Sequence, residues 1–143
     1  MNKKVESNHT GYLLRQASHL SQQLYNEKLE SKGISFSQDR VLSLLYENNG
    51  ATQSELQKDL FIKPSSLTKL IDVLEQKGLV KRVSDKMDGR IKKIILTKTG
   101  DQLETELWDI KEVVEAKITK FLTEEDKTLL NKQLNLIKKS LLD

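Results

Sequence analysis

The stretch that decides the fold runs from Thr52 to Gly100 and reads TQSELQKDLFIKPSSLTKLIDVLEQKGLVKRVSDKMDGRIKKIILTKTG. Two short helical patterns, separated by a break, are followed by two runs typical of β-strands with a polar tip between them. Thr52 and Glu55 have the spacing of a capping box, which predicts the start of the first helix. Pro64 suits the first position of the second helix, where its missing N–H costs no hydrogen bond. This order predicts a winged helix-turn-helix.

The second of these helices is predicted to have one buried stripe and one polar face. Leu67 begins the stripe, which continues at i+3, i+4 and i+7, and Gly78 ends the helix in the left-handed conformation. The opposite face carries short or flexible polar groups that can reach base edges and phosphates from a major groove. A solvated face of an ordinary amphipathic helix is the alternative. The DNA-binding residues predicted here are Lys63, Ser65, Ser66, Thr68 and Lys69.

The two strand-like runs, Leu79–Ser84 and Ile91–Thr97, predict a hairpin whose tip is Asp85–Arg90. Asp88 lies two residues before Arg90, close enough to hold the guanidinium by a charge-assisted hydrogen bond. An arginine held in this way can enter a minor groove, where the negative potential is strongest when the groove is narrow. A surface hairpin with a weak exposed ion pair is the alternative. The hairpin adds Lys86, Asp88, Arg90, Lys92 and Lys93 to the predicted DNA-binding residues.

Positive charge is concentrated in this part of the chain. Between Lys58 and Lys93 there are ten Lys or Arg and five Asp or Glu, a net charge of +5. The whole chain carries +3, so the remaining residues sum to −2. A local basic surface of this kind is typical of proteins that bind phosphates.

With these motifs, the sequence resembles the MarR-type bacterial transcription regulators, and the likeness spans nearly all of the chain. The residues that carry it are LTKLIDVLEQKGLVKR (67–82), the wing residues Asp88-Gly89-Arg90, and Leu96-Thr97 with Gly100 after them. The resemblance implies a homodimer that binds a pseudo-palindromic operator in double-stranded DNA. Such proteins usually repress transcription and are often released by a small ligand. The resemblance also implies that Arg90 is the wing arginine and Asp88 its partner.

The rest of the chain, with 143 residues in all, fits a single domain. We predict a mainly α fold with a small β-hairpin wing. Its winged helix-turn-helix lobe, residues 35–100, is flanked by dimerisation helices at 8–32 and 98–143. Apolar stripes such as Leu13, Ala17, Leu20 and Leu24 favour packing on a partner chain. An intramolecular helical core is the alternative for the same stripes.

Several function classes have no support in the sequence. Without cysteine, the chain has no disulfide, thiolate metal site or cysteine-based redox switch. No apolar run approaches the roughly 20 residues of a membrane span, and Met1–Thr10 does not read as a signal peptide, so we expect a cytoplasmic protein. The only histidines are His9 and His19, and no catalytic or nucleotide-binding motif occurs. We therefore predict no enzyme activity, cofactor or metal. The acidic residues between Asp101 and Glu115, Glu104 among them, are expected on a solvated face.

An effector site is the remaining prediction. In members of the family, small aromatic or amphipathic effectors bind between the dimer helices and the DNA-binding lobe. Residues of suitable chemistry on the corresponding helices are Tyr12, Arg15, His19, Tyr46 and Trp108. Each is explained equally well by ordinary packing with a polar tip at the surface. For the protein as a whole, the alternative to a DNA-binding regulator is a winged helix that binds another protein. The basic window and the polar wing tip favour DNA.

Overall fold

The computed structural model describes residues 3–143 and is mainly helical, so that the predicted fold class is confirmed. Residues 1 and 2 of the predicted domain lie outside the described part. The helices are α1 (Thr10–Leu29), α2 (Phe36–Glu47), α3 (Gln53–Leu60), α4 (Pro64–Gln76), α5 (Lys98–Ile118) and α6 (Glu124–Leu142), with a 3-10 turn at Glu30–Lys32. The strands are β1 (Ala51–Thr52), β2 (Val80–Ser84) and β3 (Lys92–Leu96).

Local capping chemistry sets the helix boundaries as the sequence predicts. Thr52 accepts a hydrogen bond from the Glu55 backbone at 3.2 Å, and the Glu55 carboxylate accepts one from the Thr52 backbone at 3.3 Å. Reciprocal boxes of the same type begin α2 and α6. Pro64 stands in the first turn of α4, and Gly78 follows that helix at φ +72°. Phe61, between α3 and α4, takes the left-handed conformation at φ 54°, which is rare for a bulky residue.

The three strands form one antiparallel sheet in the order β1-β3-β2. Val80 pairs with Leu96 and Ser84 with Lys92, so the hairpin closes over the segment 85–91. On the other edge of β3, Ala51 pairs with Ile94. A strand of two residues is too short to be predicted from the sequence, because two residues carry no periodicity of their own.

The core lies beneath α4. Fully buried leucine and isoleucine side chains from α2, α3, α4 and β3 form it, and Leu107 of α5 closes it from the side. Leu67, Ile71 and Leu74 are the buried face of α4, as the stripe predicts. Burial of one face holds α4 in place while its polar face stays exposed.

The helices at both ends of the chain bury little. Leu29 is the only buried residue of α1, and α6 buries none. Leu20 is 63 % exposed and Leu141 is 77 % exposed, so apolar stripes of both helices face outward. No helix in the segment 3–143 is long and apolar enough to cross a membrane.

A buried group of charges joins α2 to α5, and here one prediction is wrong. Glu104, expected on a solvated face, is buried together with Asp39 of α2. Lys111 contacts the Glu104 carboxylate and lies 3.3 Å from Asp39 Oδ2, and Ser43 donates to Glu104 at 2.9 Å. Glu104 is buried because its helix turn faces α2, where a cation and a hydroxyl both bond its Oε1. Its Oε2 is buried without a hydrogen-bond partner among the described residues. We call Asp39, Ser43, Glu104 and Lys111 the α2–α5 charge cluster.

Burial raises the pKa of Glu104 from 4.5 to about 7, with Asp39 adding to the effect and Lys111 opposing it. Tyr25 faces the cluster from α1, and burial followed by the charge of Asp39 raises the pKa of its hydroxyl as well. Since the folded protein binds the Glu104 proton more tightly than the unfolded chain, the resulting stability is fully present below pH 4.5. It is lost as the pH rises through about 7.

We therefore expect Glu104→Gln, which imitates the protonated acid, to flatten the dependence of stability on pH. For the wild type, this group should lower the free energy of unfolding by up to about 3 kcal/mol between about pH 5 and pH 8. Urea unfolding at the two pH values, at one protein concentration, measures the difference. The control is Glu106→Gln on an exposed carboxylate of the same helix, which should keep the wild-type slope. An unchanged slope in Glu104→Gln would assign the pH dependence to another group.

Candidate nucleic-acid interface

The polar face of α4 is exposed where the sequence places it. The five predicted residues of this region, Lys63, Ser65, Ser66, Thr68 and Lys69, are all exposed. They lie at the N-terminal half of the helix, whose free backbone N–H groups favour an anion. Within residues 3–143, neither Lys63 nor Lys69 forms a salt bridge, so both positive charges are available to a partner.

Thr68 differs from the other four because its hydroxyl is already engaged. It donates to the Pro64 carbonyl one turn earlier at 3.0 Å and accepts from Gln53 Nε2 at 2.8 Å. The hydrogen bond from Gln53 connects the start of α3 to the start of α4. Thr68 therefore offers a partner its methyl group and no free hydroxyl hydrogen.

Asp85 shapes the tip of the wing. Its Oδ1 accepts from the backbone N–H groups of Met87 at 2.7 Å and Asp88 at 3.2 Å, and its Oδ2 lies 3.0 Å from Lys93 Nζ. These hydrogen bonds, with the one from Lys93 as the largest cause, lower the pKa of Asp85. A carboxylate that bonds two following N–H groups is the usual aspartate turn, so Asp85 fixes the loop that carries Arg90.

Arg90 is held by Asp88, as predicted. Arg90 Nε donates to Asp88 Oδ1 and its terminal nitrogen to Asp88 Oδ2, both at 3.1 Å, while the Arg90 backbone N–H donates to Oδ1 at 3.0 Å. The guanidinium lowers the pKa of Asp88, and the carboxylate raises that of Arg90, so the pair stays charged. The Arg90 side chain is nevertheless 92 % exposed. It is thus oriented and still open to a partner.

The lysines of the wing fall into two groups. Lys93 is paired with Asp85, and Lys92 donates to Ser84 Oγ at 2.6 Å. Lys86, at the tip, is exposed and forms no salt bridge in the described part of the chain. Lys86 and Lys92 therefore keep an unneutralised charge, whereas Lys93 would have to share its charge with Asp85.

Arg82 connects the wing to α4. Its guanidinium contacts Asp72 at 2.6 Å and Glu75 at 2.8 Å, and its backbone N–H donates to the other Glu75 oxygen at 3.2 Å. The C-terminal turns of α4 are thereby tied to β2 by three hydrogen bonds. Two of the five acidic residues of the basic window are used in this connection, which leaves the N-terminal half of α4 basic.

The predicted effector residues are only partly brought together. Tyr46 and Trp108 line one open cavity of about 350 Å³ with Glu104, Thr105 and Asp109. Tyr12, Arg15 and His19 line none of the cavities described for the chain. On α1, Arg15 is paired with Glu6, and the Tyr12 hydroxyl accepts from Gln16.

Three residues of this surface were missed at the level of sequence. The sequence analysis places Asp85 only within a polar tip, although an aspartate at the start of a tight loop is a known turn former. The sequence pattern assigns no role to Arg82 or Gln53. The partners of these two residues lie seven or more residues away in other elements, where helix periodicity gives no signal.

Comparison with known proteins agrees with this geometry. The sequence profile of the MarR family matches residues 34–92. The HTH-type transcriptional repressor MdtR of Bacillus subtilis is 33 % identical over 100 residues, covering 70 % of this chain and 64 % of MdtR. The B. subtilis regulator YdgJ is 40 % identical over 68 residues, covering 48 % of this chain and 42 % of YdgJ. The chain thus spans less than two thirds of these relatives.

Two crystal structures of DNA complexes are similar over nearly their full length. MepR of S. aureus in complex with DNA is 31 % identical, covering 92 % of this chain and 97 % of MepR, with a TM-score of 0.84. A mutant of E. coli MarR in complex with operator DNA is 25 % identical, covering 94 % of this chain and 99 % of that one, with a TM-score of 0.85. The family profile and the sequence similarity to MepR, which extends over almost the whole of both chains, lead to the same assignment. The chain belongs to the MarR family.

Proposed function

We propose that the protein is a homodimeric, sequence-specific DNA-binding transcription regulator of the cytoplasm, and that it represses transcription from a pseudo-palindromic operator. The observation that carries this proposal is the pairing of an exposed, basic α4 face with a wing arginine held by Asp88. Support comes from MepR and MarR, whose crystal structures with DNA share this fold. The α4 face and the wing offer positive charge and hydrogen-bond donors, which suit the binding of DNA phosphates and bases.

In the proposed complex, the two halves of the interface read different grooves. Ser65, Ser66 and Lys69 face the major groove, while Lys63, Lys86 and the lysines of β3 contact phosphates. Arg90, braced by Asp88, enters the adjacent minor groove. The two recognition helices of a dimer would lie about 34–36 Å apart, one turn of B-DNA.

The proposed dimer uses the ends of the chain. Residues 8–32 and 98–143 carry apolar side chains that have no partner within one protomer, Leu20 and Leu141 among them. An exposed apolar surface of this extent marks an interface. The lobe of residues 35–100 remains free to contact DNA on either side of the two-fold axis.

Release by a small aromatic or amphipathic ligand completes the proposal. The cavity at Tyr46 and Trp108 lies where α2, part of the lobe, meets α5, part of the dimer region. A ligand that binds better to a dimer with the wrong half-site separation lowers DNA affinity by linkage alone. Tyr12, Arg15 and His19 would contribute only from the partner chain or after a rearrangement, since they lie apart from this cavity.

Arg90→Ala tests the interface. It should weaken binding to the operator by about 1–3 kcal/mol. The fold and the dimer should not change, because the side chain is almost fully exposed and, within residues 3–143, bonds only Asp88. Fluorescence anisotropy with duplex DNA from upstream of the protein's own gene, over a salt series, measures the affinity. A scrambled duplex measures non-specific binding.

Lys4→Ala removes the same charge from an exposed position outside both the lobe and the proposed dimer segments. It is the matched control and should bind like the wild type. Equal affinity of Arg90→Ala and wild type would remove Arg90 from the interface. Weak binding to every natural upstream duplex tried, with no excess over the scrambled duplex, would favour a winged helix that binds a protein instead.

A further inference from the structure

The contact between α3 and α4 contains an unused hydrogen-bond acceptor. Gln53 Nε2 donates to Thr68 Oγ1 at 2.8 Å and to the Pro64 carbonyl at 3.4 Å. The Thr68 hydroxyl donates to the same carbonyl at 3.0 Å. The Gln53 amide is thus fixed at the exposed N-terminal half of α4, within the candidate interface.

The orientation of this amide follows from its partners. The Pro64 carbonyl can only accept hydrogen bonds, so the end of the Gln53 amide that faces it must be the NH₂ group. Both N–H groups are then engaged, and the side-chain oxygen, Oε1, is left without a hydrogen bond from them. None of the donors described for the chain bonds Gln53 Oε1. Because nitrogen and oxygen share one carbon, this oxygen lies beside Thr68 on a residue that is only half buried.

An oxygen with no hydrogen to donate selects its partner by chemistry. Phosphate oxygens are also hydrogen-bond acceptors, so Gln53 Oε1 cannot bond the phosphates, which are the same in every DNA sequence. In a major groove, the donors are the exocyclic amines of cytosine and adenine. Thr68, whose hydroxyl is engaged, presents its methyl group at the same place, which suits the methyl group of thymine.

We propose that Gln53, a residue outside the recognition helix, is a specificity-determining residue that accepts a hydrogen bond from a cytosine or adenine amine. This assignment rests on the proposed function. Thr68 acts as its positioning partner, because it holds the amide in the required orientation. Gln53 of α3 and Thr68 of α4 together form one base-recognition unit.

Selection from a pool of duplexes with randomised sequence tests the proposal on the full-length protein, since no operator has to be known. Wild type, Gln53→Leu and Thr68→Val are each used to select binding sites. Gln53→Leu should lower the preference for cytosine or adenine over guanine and thymine, at one position of one strand in each half-site, by about tenfold and leave the other positions unchanged. Thr68→Val cannot accept the Gln53 hydrogen bond and should lower the base preference at the same position. The control is Gln102→Leu, at an exposed position of α5, which should select the wild-type sequence.

The outcomes separate this inference from the proposed function. A wild-type protein that selects no sequence would overturn both. A wild-type protein that selects a sequence, together with a Gln53→Leu variant that selects the same one, would overturn the role of Gln53 and leave the DNA-binding function intact. A loss of affinity equal for all sequences would likewise overturn it, because it would show a phosphate contact or a structural role. Thermal unfolding of each variant checks that the lobe remains folded.

Discussion

Gly100→Ala is expected to destabilise the protein by about 3 kcal/mol or more, at the upper end of what overpacking costs. A Cβ at this position would lie 2.1 Å from the Leu79 carbonyl oxygen and 3.2 Å from Leu96 Cδ2. The carbonyl cannot swing away freely, because it accepts the Thr97 backbone hydrogen bond at 3.0 Å. Thr97 also donates to Gly78 at 2.6 Å and caps α5, so movement would disturb the whole junction of β2, β3 and α5.

Urea unfolding at fixed protein concentration measures this effect. Gly89→Ala in the wing is the control, since an added Cβ there meets nothing within 4 Å, and its change should stay within about 0.5 kcal/mol. A Gly100→Ala variant as stable as Gly89→Ala would mean that α5 and the Leu79 carbonyl are not in close contact.

Lys111→Met is expected to cost about 3–5 kcal/mol, because it leaves buried carboxylates without their cation. Asp39 and Glu104 are both buried, and Lys111 is the cation that contacts them. A proton on Glu104 relieves part of the repulsion, so the cost should grow as the pH rises through about 7. Thermal and urea unfolding at about pH 6 and pH 8 give the size of the effect and its pH dependence.

Lys127→Met supplies the comparison, since this lysine pairs at 2.8 Å with Glu124, which is almost fully exposed. Exposed pairs contribute about 0–1 kcal/mol, so this variant should remain close to the wild type. Similar losses for Lys111→Met and Lys127→Met would show that the α2–α5 charge cluster is solvated and that its burial has no energetic weight.

The fold was predictable because its signals are local. The capping boxes at Ser35, Thr52 and Thr123 each need only four residues, and the α4 stripe needs eight. The Asp88–Arg90 pair was predictable for the same reason, since its members are two residues apart. Sequence spacing carries this information directly.

The contacts that could not be predicted join distant parts of the chain. Ser43 and Glu104 are 61 residues apart, and Glu104 shares its helix with acidic neighbours that are exposed. Its burial depends on which turn of α5 faces α2, which the charge pattern does not show. Gln53 and Thr68, 15 residues apart, meet only because the first residue of α3 lies against the N-terminal half of α4. Sequence chemistry identified Thr68 but not the bonds that engage its hydroxyl.

The exposure of α6 has a consequence for the amount of protein in the cell. A 19-residue helix that buries no residue in its own protomer gains little from tertiary packing, which supplies most of the stability of helices in proteins. In the proposed dimer, the order of α6 would then follow mass action, so that dilution loosens the ends of the chain while the compact lobe stays folded. The number of copies per cell, and not only the affinity for DNA, would set how much of the regulator is competent to bind.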